Sequence, residues 1–246
     1  MAFPKRKVPR KVALDELAIL ERTYPNATTA LHYRNDFELL IAVILSAQTT
    51  DARVNVTTPV LFEKYPTPAL LRAAKPSDVE KIIKSCGFFR MKTRNIIACA
   101  RDLVERFGGV VPREREQLES LAGVGRKTAS VVMANAFDEA ALAVDTHVFR
   151  VAHRMGLTTA TAPRGVEEDL TALLPPKKWG SATHWLILHG RAICKAPTPQ
   201  CARCPVEPLC PTPAIIARTV TVRARSSGRV AEVPRRKRSA SAAKKR

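Results

Sequence analysis

LESLAGVGRKTASVVMANAFDEAALAVD, residues 118–145, holds two segments with helical apolar spacing joined by the tight turn Gly123-Val124-Gly125. Two glycines let a backbone take positive φ and approach another molecule closely. The first N–H groups of the following helix have no intrahelical partner and carry partial positive charge, so such a turn is a natural seat for a phosphate. Lys127 stands at the start of the second segment and Asp145 eighteen residues further on. A helix-hairpin-helix with a lysine at its mouth implies a chain that holds a nucleic-acid backbone and brings an amine to a sugar.

Outward from this hairpin the apolar spacing stays helical. Segments are expected at Ala13–Tyr24, Asp36–Ala47, Arg53–Lys64, Thr67–Ala74, Ser77–Ser85, Met91–Phe107 and Arg113–Leu121. Beyond the turn they continue at Lys127–Phe137, Thr146–Met155, Arg164–Leu174 and Ser181–Cys194. Asp36–Ala47 is apolar nearly all round, which suits a central buried helix with Asn35 or Asp36 as its N-cap. Pro66, Pro76, Gly87 and Gly108-Gly109 punctuate the pattern. Strand-like alternation is nowhere sustained over several segments, so the chain reads as all-α.

Charge narrows the class of partner. The 246 residues carry a formal +19, with a pI near 10.3 and 46% hydrophobic content. That imbalance implies a polyanionic partner, nucleic acid before anything else. Residues 218–246 hold eleven Lys/Arg against one acid, Glu232. From about Thr212 the sequence is too poor in apolar periodicity to offset its ordering entropy, and residues 212–246 are expected to be a disordered basic tail. Residues 1–12 read as a basic, flexible arm. No apolar run approaches the ~20 residues of a membrane span, and no signal-peptide core opens the chain. The expectation is a cytoplasmic, nucleoid-associated protein in a bacterium, or a nuclear one in a eukaryote.

Four of six cysteines crowd into Cys194-x6-Cys201-x2-Cys204-x5-Cys210, laced with prolines. Without export signals such a cluster points to a metal rather than to disulfides. Four-cysteine zinc sites commonly use two Cys-x2-Cys pairs, and one is present here. Unequal gaps around a single short pair favour an iron–sulfur cube, with zinc the alternative. Cys86 and Cys99 sit on apolar helical patterns and read as inert buried thiols.

The hairpin, Lys127, Asp145 and this cysteine spacing together resemble the endonuclease III family of DNA glycosylases and lyases. The likeness is carried by LIAVILSAQTTD, LAGVGRKTASVV, AVDTHVFRV and HWLILHGR, and it covers roughly residues 12–211. It implies two helical domains flanking a DNA-binding cleft. A six-helix domain would span residues 29–139, and residues 140–211 would pack with the segment 1–28 and hold a [4Fe–4S] cluster on Cys194, Cys201, Cys204 and Cys210. The implied activity is removal of oxidised pyrimidines from double-stranded DNA, with β-elimination at abasic sites, by a monomer that needs no membrane. Lys127 would attack C1′ of a flipped nucleotide. The attack needs a neutral amine, which the helix N-terminus, the neighbouring cation Arg126 and partial burial in the cleft would each favour. Asp145 would stabilise positive charge on the sugar and relay a proton, or cap the next helix, or both.

The same resemblance gives Gly123, Val124, Gly125, Arg126 and Lys195 to DNA contact. Gln48 would fill the gap left by the flipped base. Phe88 falls where the family often has a leucine wedge, and an aromatic there can stack as well as intercalate. Asp51, Thr49 and His147 would line the damage pocket. Two departures stand out: Ala122 replaces a common proline before the hairpin, and Thr49 replaces a small apolar residue of some members. The rival readings are a mispair or adenine-type glycosylase of the same superfamily, and a non-catalytic iron–sulfur DNA-binding protein. Lys127 argues against the first and the intact Lys127–Asp145 pair against the second.

Overall fold

In the computed structural model, residues 3–216 can be described, and among them every regular element is helical. The order is α1 (Arg10–Thr23), α2 (Asp36–Ser46), α3 (Asp51–Lys64), α4 (Pro68–Arg72), α5 (Pro76–Ile83), α6 (Phe89–Phe107), α7 (Arg115–Glu119), α8 (Arg126–Ala136), α9 (Thr146–Arg154), α10 (Pro163–Leu173) and α11 (Trp179–Ala192). Short 3₁₀ turns fall at Pro176–Lys178 and Cys201–Arg203. No helix is long and apolar enough to cross a membrane among the described residues.

Local chemistry explains the boundaries. Asn35 is extended and its side chain accepts from the Glu38 N–H, capping α2. Thr50 caps α3 in the same way through the Arg53 N–H. Proline occupies the first turn of α4, α5 and α10, where its missing N–H costs nothing. At the end of α6, Gly108 takes φ 59° and the Gly109 N–H closes back on the Leu103 carbonyl, a left-handed stop.

Two apolar cores result. α2 runs through the first, buried along Phe37–Leu45, and packs against α8, α3 and α6. Glu38 is the one charge in that stretch and is held by the backbone N–H, Nε and Nη2 of Arg34. The second core joins Leu17 and Leu20 of α1 to α9, α10 and α11, with Cys194 and Val206 at one end. Helix α11 packs on α9 and α1 and also reaches α8, so it lies where the two cores meet.

Both chain ends depart from the sequence expectation. The N-terminal arm is anchored: the Val8 N–H donates to the Gly156 carbonyl, Lys7 pairs with Asp169, and Arg10 donates to the Ala172 carbonyl. Complementary charge on α10 and a backbone bond outweigh the cost of ordering a few residues, information that the local sequence lacks. At the other end, residues 212–216 are helical rather than disordered. Thr212 is buried, and its hydroxyl donates to the Arg154 carbonyl at 2.6 Å. The basic stretch 218–246 lies outside the described residues.

Candidate active site

The hairpin is built as its glycines require. Gly123 takes φ 80°, and an added Cβ would stand 2.9 Å from Asn95 Cβ, so both conformation and space select glycine. The Val124 N–H closes the turn on the Leu121 carbonyl at 3.1 Å. Val124 points into the first core at 6% exposure, so only its backbone can meet a phosphate. Ala122 donates its N–H to Asp102 Oδ2 at 3.4 Å, an anchor that a proline would lack. Gly125 then serves as the N-cap of α8 without a side-chain cap, leaving the first N–H groups of that helix open at the turn.

Lys127, in the first turn of α8, faces a cleft of about 1090 Å³ that is also lined by Asp145, His147, Gln48, Asp51 and Arg191. Asp145 is the N-cap of α9: its Oδ1 accepts from the His147 and Val148 N–H groups, both at 2.8 Å. Both bonds end on one oxygen, and the residue also lines the cleft, so the cap does not consume the whole carboxylate. His147 lies within 3.2 Å of Arg150 Nη2 through Nδ1, and burial lowers its pKa, favouring the neutral ring.

Two expected aids to Lys127 are not supplied by the free protein. Arg126 turns away to Glu167 of α10, with Nε to Oε2 at 2.8 Å and Nη2 to Oε1 at 3.0 Å. Its charge is therefore balanced by a carboxylate across the two cores rather than directed at Lys127 or at a phosphate. Lys127 itself is exposed. The partial burial expected for the amine is therefore absent from the cleft as it stands.

Asp51 lines the cleft at the start of α3, and its Oδ2 accepts from Arg191 Nη1 at 2.8 Å. Arg191 carries a sequence signal, the cation of HGR at the end of an apolar helix, but its partner across the cleft is a tertiary fact. Thr49 also lines the cleft, yet its hydroxyl is committed to the Cys86 carbonyl at 2.8 Å and to Lys92 Nζ at 2.7 Å. Gln48, at φ 52°, is exposed on the loop after α2. Phe88, at φ 47°, is 60% exposed at the N-cap of α6. It is not core. Lys195 is exposed on the loop after α11 and is not among the residues lining the cleft.

The four cysteines of the C-terminal loop gather around one enclosed cavity behind α9 and α11. None is in a disulfide. Burial pushes the Cys204 thiol up to about 11 and the Cys210 thiol up to about 12. Such thiols keep their protons near neutrality unless a metal displaces them. The buried Arg154 donates to the Cys194 carbonyl at 3.2 Å, to its Sγ at 3.5 Å and to the Lys195 carbonyl at 2.7 Å, bringing positive charge where four thiolates would bring negative. His189 Nε2 lies 3.5 Å from Cys204 Sγ, and burial lowers that imidazole to about 4. Among the described residues no three His, Cys, Asp or Glu side chains converge as ligands of a single ion. A zinc ion needs four sulfurs at ~2.3 Å from one point, whereas a cube receives each thiolate on a different corner. Four free cysteines lining one cavity are a donor set that suits such a cube. Cys86 and Cys99 are buried free thiols, and burial pushes Cys99 up to about 12.

Comparison with known proteins adds an independent line. Residues 41–176 match the family described as HhH-GPD superfamily base excision DNA repair protein. Endonuclease III of Synechocystis is 47% identical over 201 residues, covering 81% of this chain and 92% of that protein. Endonuclease III of Escherichia coli is 44% identical over 197 residues, covering 80% and 93%. Among solved structures, a trapped endonuclease III–DNA covalent intermediate superposes with a TM-score of 0.83 at 42% identity, over 86% of this chain and all of that one. A thermostable thymine-DNA glycosylase superposes at 0.72 with 27% identity, over 82% and 95%.

Proposed function

The chain belongs to the endonuclease III family of the HhH-GPD superfamily, and from that premise we propose how its own residues carry out base excision and strand cleavage. It is a DNA glycosylase with AP lyase activity acting on oxidised pyrimidines. The single observation that carries the residue assignment is the meeting of Lys127 and Asp145 in one cleft from two different cores.

The reaction begins with a nucleotide flipped into the cleft, since its glycosidic bond is out of reach inside the stack. The turn at Gly123–Gly125 holds the phosphate beside it on open N–H groups. Lys127 Nζ attacks C1′ as the glycosidic bond breaks. The base leaves with the bonding electron pair and takes up a proton. Opening of the sugar ring yields an imine between Nζ and C1′. Loss of a C2′ proton then expels the 3′ phosphate and nicks the strand. Asp145 offsets positive charge on the sugar and passes the proton, while its Oδ1 keeps α9 in place. Asp51, held by Arg191, presents a fixed acceptor to the base. Gln48 enters the space the nucleotide leaves, and Phe88 wedges into the opposite strand. The likeness to a trapped covalent endonuclease III–DNA intermediate supports the imine route.

We assign Cys194, Cys201, Cys204 and Cys210 to a [4Fe–4S] cluster, whose bound form cross-links the loop after α11. The cluster supplies no step above; the loop it orders presents Lys195 to the DNA. The protein acts as a monomer on duplex DNA, in the cytoplasm of a bacterial cell.

Borohydride reduction in the presence of duplex DNA with an abasic site tests the scheme. Wild type is expected to form a covalent adduct that Lys127→Ala abolishes. An adduct that persists in the variant would assign the chemistry to another amine.

A further inference from the structure

Lys92 is a lysine with 2% exposure in the first turn of α6, and the reaction above makes no use of it. An ammonium has three donors, and here all three are spent. Nζ donates to the Leu45 carbonyl at 2.8 Å, to Thr49 Oγ1 at 2.7 Å and to the Cys86 carbonyl at 2.5 Å. The Thr49 hydroxyl in turn donates to the same Cys86 carbonyl. Leu45 and Thr49 bracket the loop that carries Gln48. Cys86 opens the loop that carries Gly87 and Phe88. The amine and hydroxyl therefore close one network between two loops that are about forty residues apart in sequence.

Both loops need such a fixture. Gln48 at φ 52° and Phe88 at φ 47° are non-glycine residues in the left-handed region, and Gly87 beside Phe88 sits at φ 48°. Conformations of this kind persist only where surrounding contacts over-determine them. Side chains at these two positions are exposed and so take little support from packing themselves. Burial also pulls the Lys92 pKa down, and its hydrogen-bond acceptors are neutral oxygens, two of them carbonyls near the C-terminal ends of α2 and α5, where the helix dipole favours a cation.

We propose that Lys92 is a positioning residue that fixes the Gln48 and Phe88 loops at one separation, so that both side chains enter the duplex together when the damaged nucleotide leaves it. This rests on the wedge roles given to Gln48 and Phe88 above. The separation between the two probes is then a property of the free protein. Thr49 completes the network, which gives its hydroxyl a task other than selecting lesions.

Lys92→Met keeps the length and apolar stem and removes the three donors. Amide hydrogen exchange of the DNA-free protein reads the fixture directly: exchange at residues 46–50 and 85–88 is expected to rise about tenfold or more, with the cores of α2 and α6 unchanged. Base excision from duplex DNA is expected to fall about tenfold or more in kcat/KM. Borohydride trapping on a single-stranded abasic substrate, which has no stack to enter, should stay within about twofold. Equal loss on both substrates, or unchanged exchange in the loops, overturns the proposal. If Lys92→Met fails to fold, Thr49→Ala decides, with a smaller change in the same direction expected and no change counting against the fixture. Gln48→Ala and Phe88→Ala separate the two claims. Should they leave duplex excision intact while loop exchange still rises in Lys92→Met, the wedge reading fails and the fixture stands.

Discussion

Glu16 shows how much one side chain can be set by its surroundings. It lies on the buried face of α1 with 0% exposure, and among the described residues neither carboxyl oxygen has a hydrogen-bond partner. Burial raises its pKa from 4.5 to about 8, and the same carboxyl pushes up the Cys204 and Cys210 thiols. The folded state therefore holds a proton that the unfolded chain releases near pH 4.5. Between these values the folded protein binds more protons, so stability falls as pH rises from about 5 to about 8 and levels off above. Glu16→Leu, of similar size, is expected to remove that slope and to add on the order of 2 kcal/mol at pH 8. Urea midpoints of the holoprotein at pH 6, 7 and 8 check this. A wild-type midpoint that rises with pH and parallels the variant would show the carboxylate to be stabilised in the fold. The sequence assigned no role to Glu16, because a glutamate on an amphipathic helix looks like a solvated face until the partner that covers it is known.

At the scale of elements, α9 joins structure to chemistry through its first residue. Asp145 caps the helix through Oδ1 and faces the cleft in which Lys127 works. The two duties separate by substitution. Asn caps as well as Asp, so Asp145→Asn is expected to unfold within about 0.5 kcal/mol of wild type while base excision falls by about a hundredfold or more. Asp145→Ala adds the loss of the cap, about 1 kcal/mol. Thermal unfolding measured beside single-turnover excision distinguishes them; full activity in Asp145→Asn would leave the residue only its cap. Helix type and order were legible in the sequence because periodicity and capping residues are local. All eleven expected segments are present, with ends shifted by a few residues where Pro68, Pro76 and Pro163 start the helices earlier or later than the apolar spacing suggested. The engagement of Arg126 by Glu167 and of Thr49 by Lys92 was not legible. Each pairs side chains from elements far apart in sequence, and no spacing rule reports such distances.

For the molecule as a whole, charge and cysteines act over the longest range. Deleting residues 218–246 removes a net +10 of the +19, and the salt dependence of duplex binding is expected to flatten, with log affinity against log salt losing several units of slope. Affinity titrations between about 50 and 200 mM salt measure this; an unchanged slope would confine DNA contact to residues 1–217. The sequence by itself determined the helical class, the hairpin, the lysine–aspartate pair and the grouping of four cysteines, because each is written in short-range periodicity, special residues or spacing. Tertiary structure alone decided that Asp145 both caps and faces the cleft and that the N-terminal arm docks on α10. It also placed Arg191 on Asp51, and a buried lysine between the two probe loops. Those outcomes depend on which helices pack together, and packing is chosen by the summed burial of two cores rather than by any local stretch.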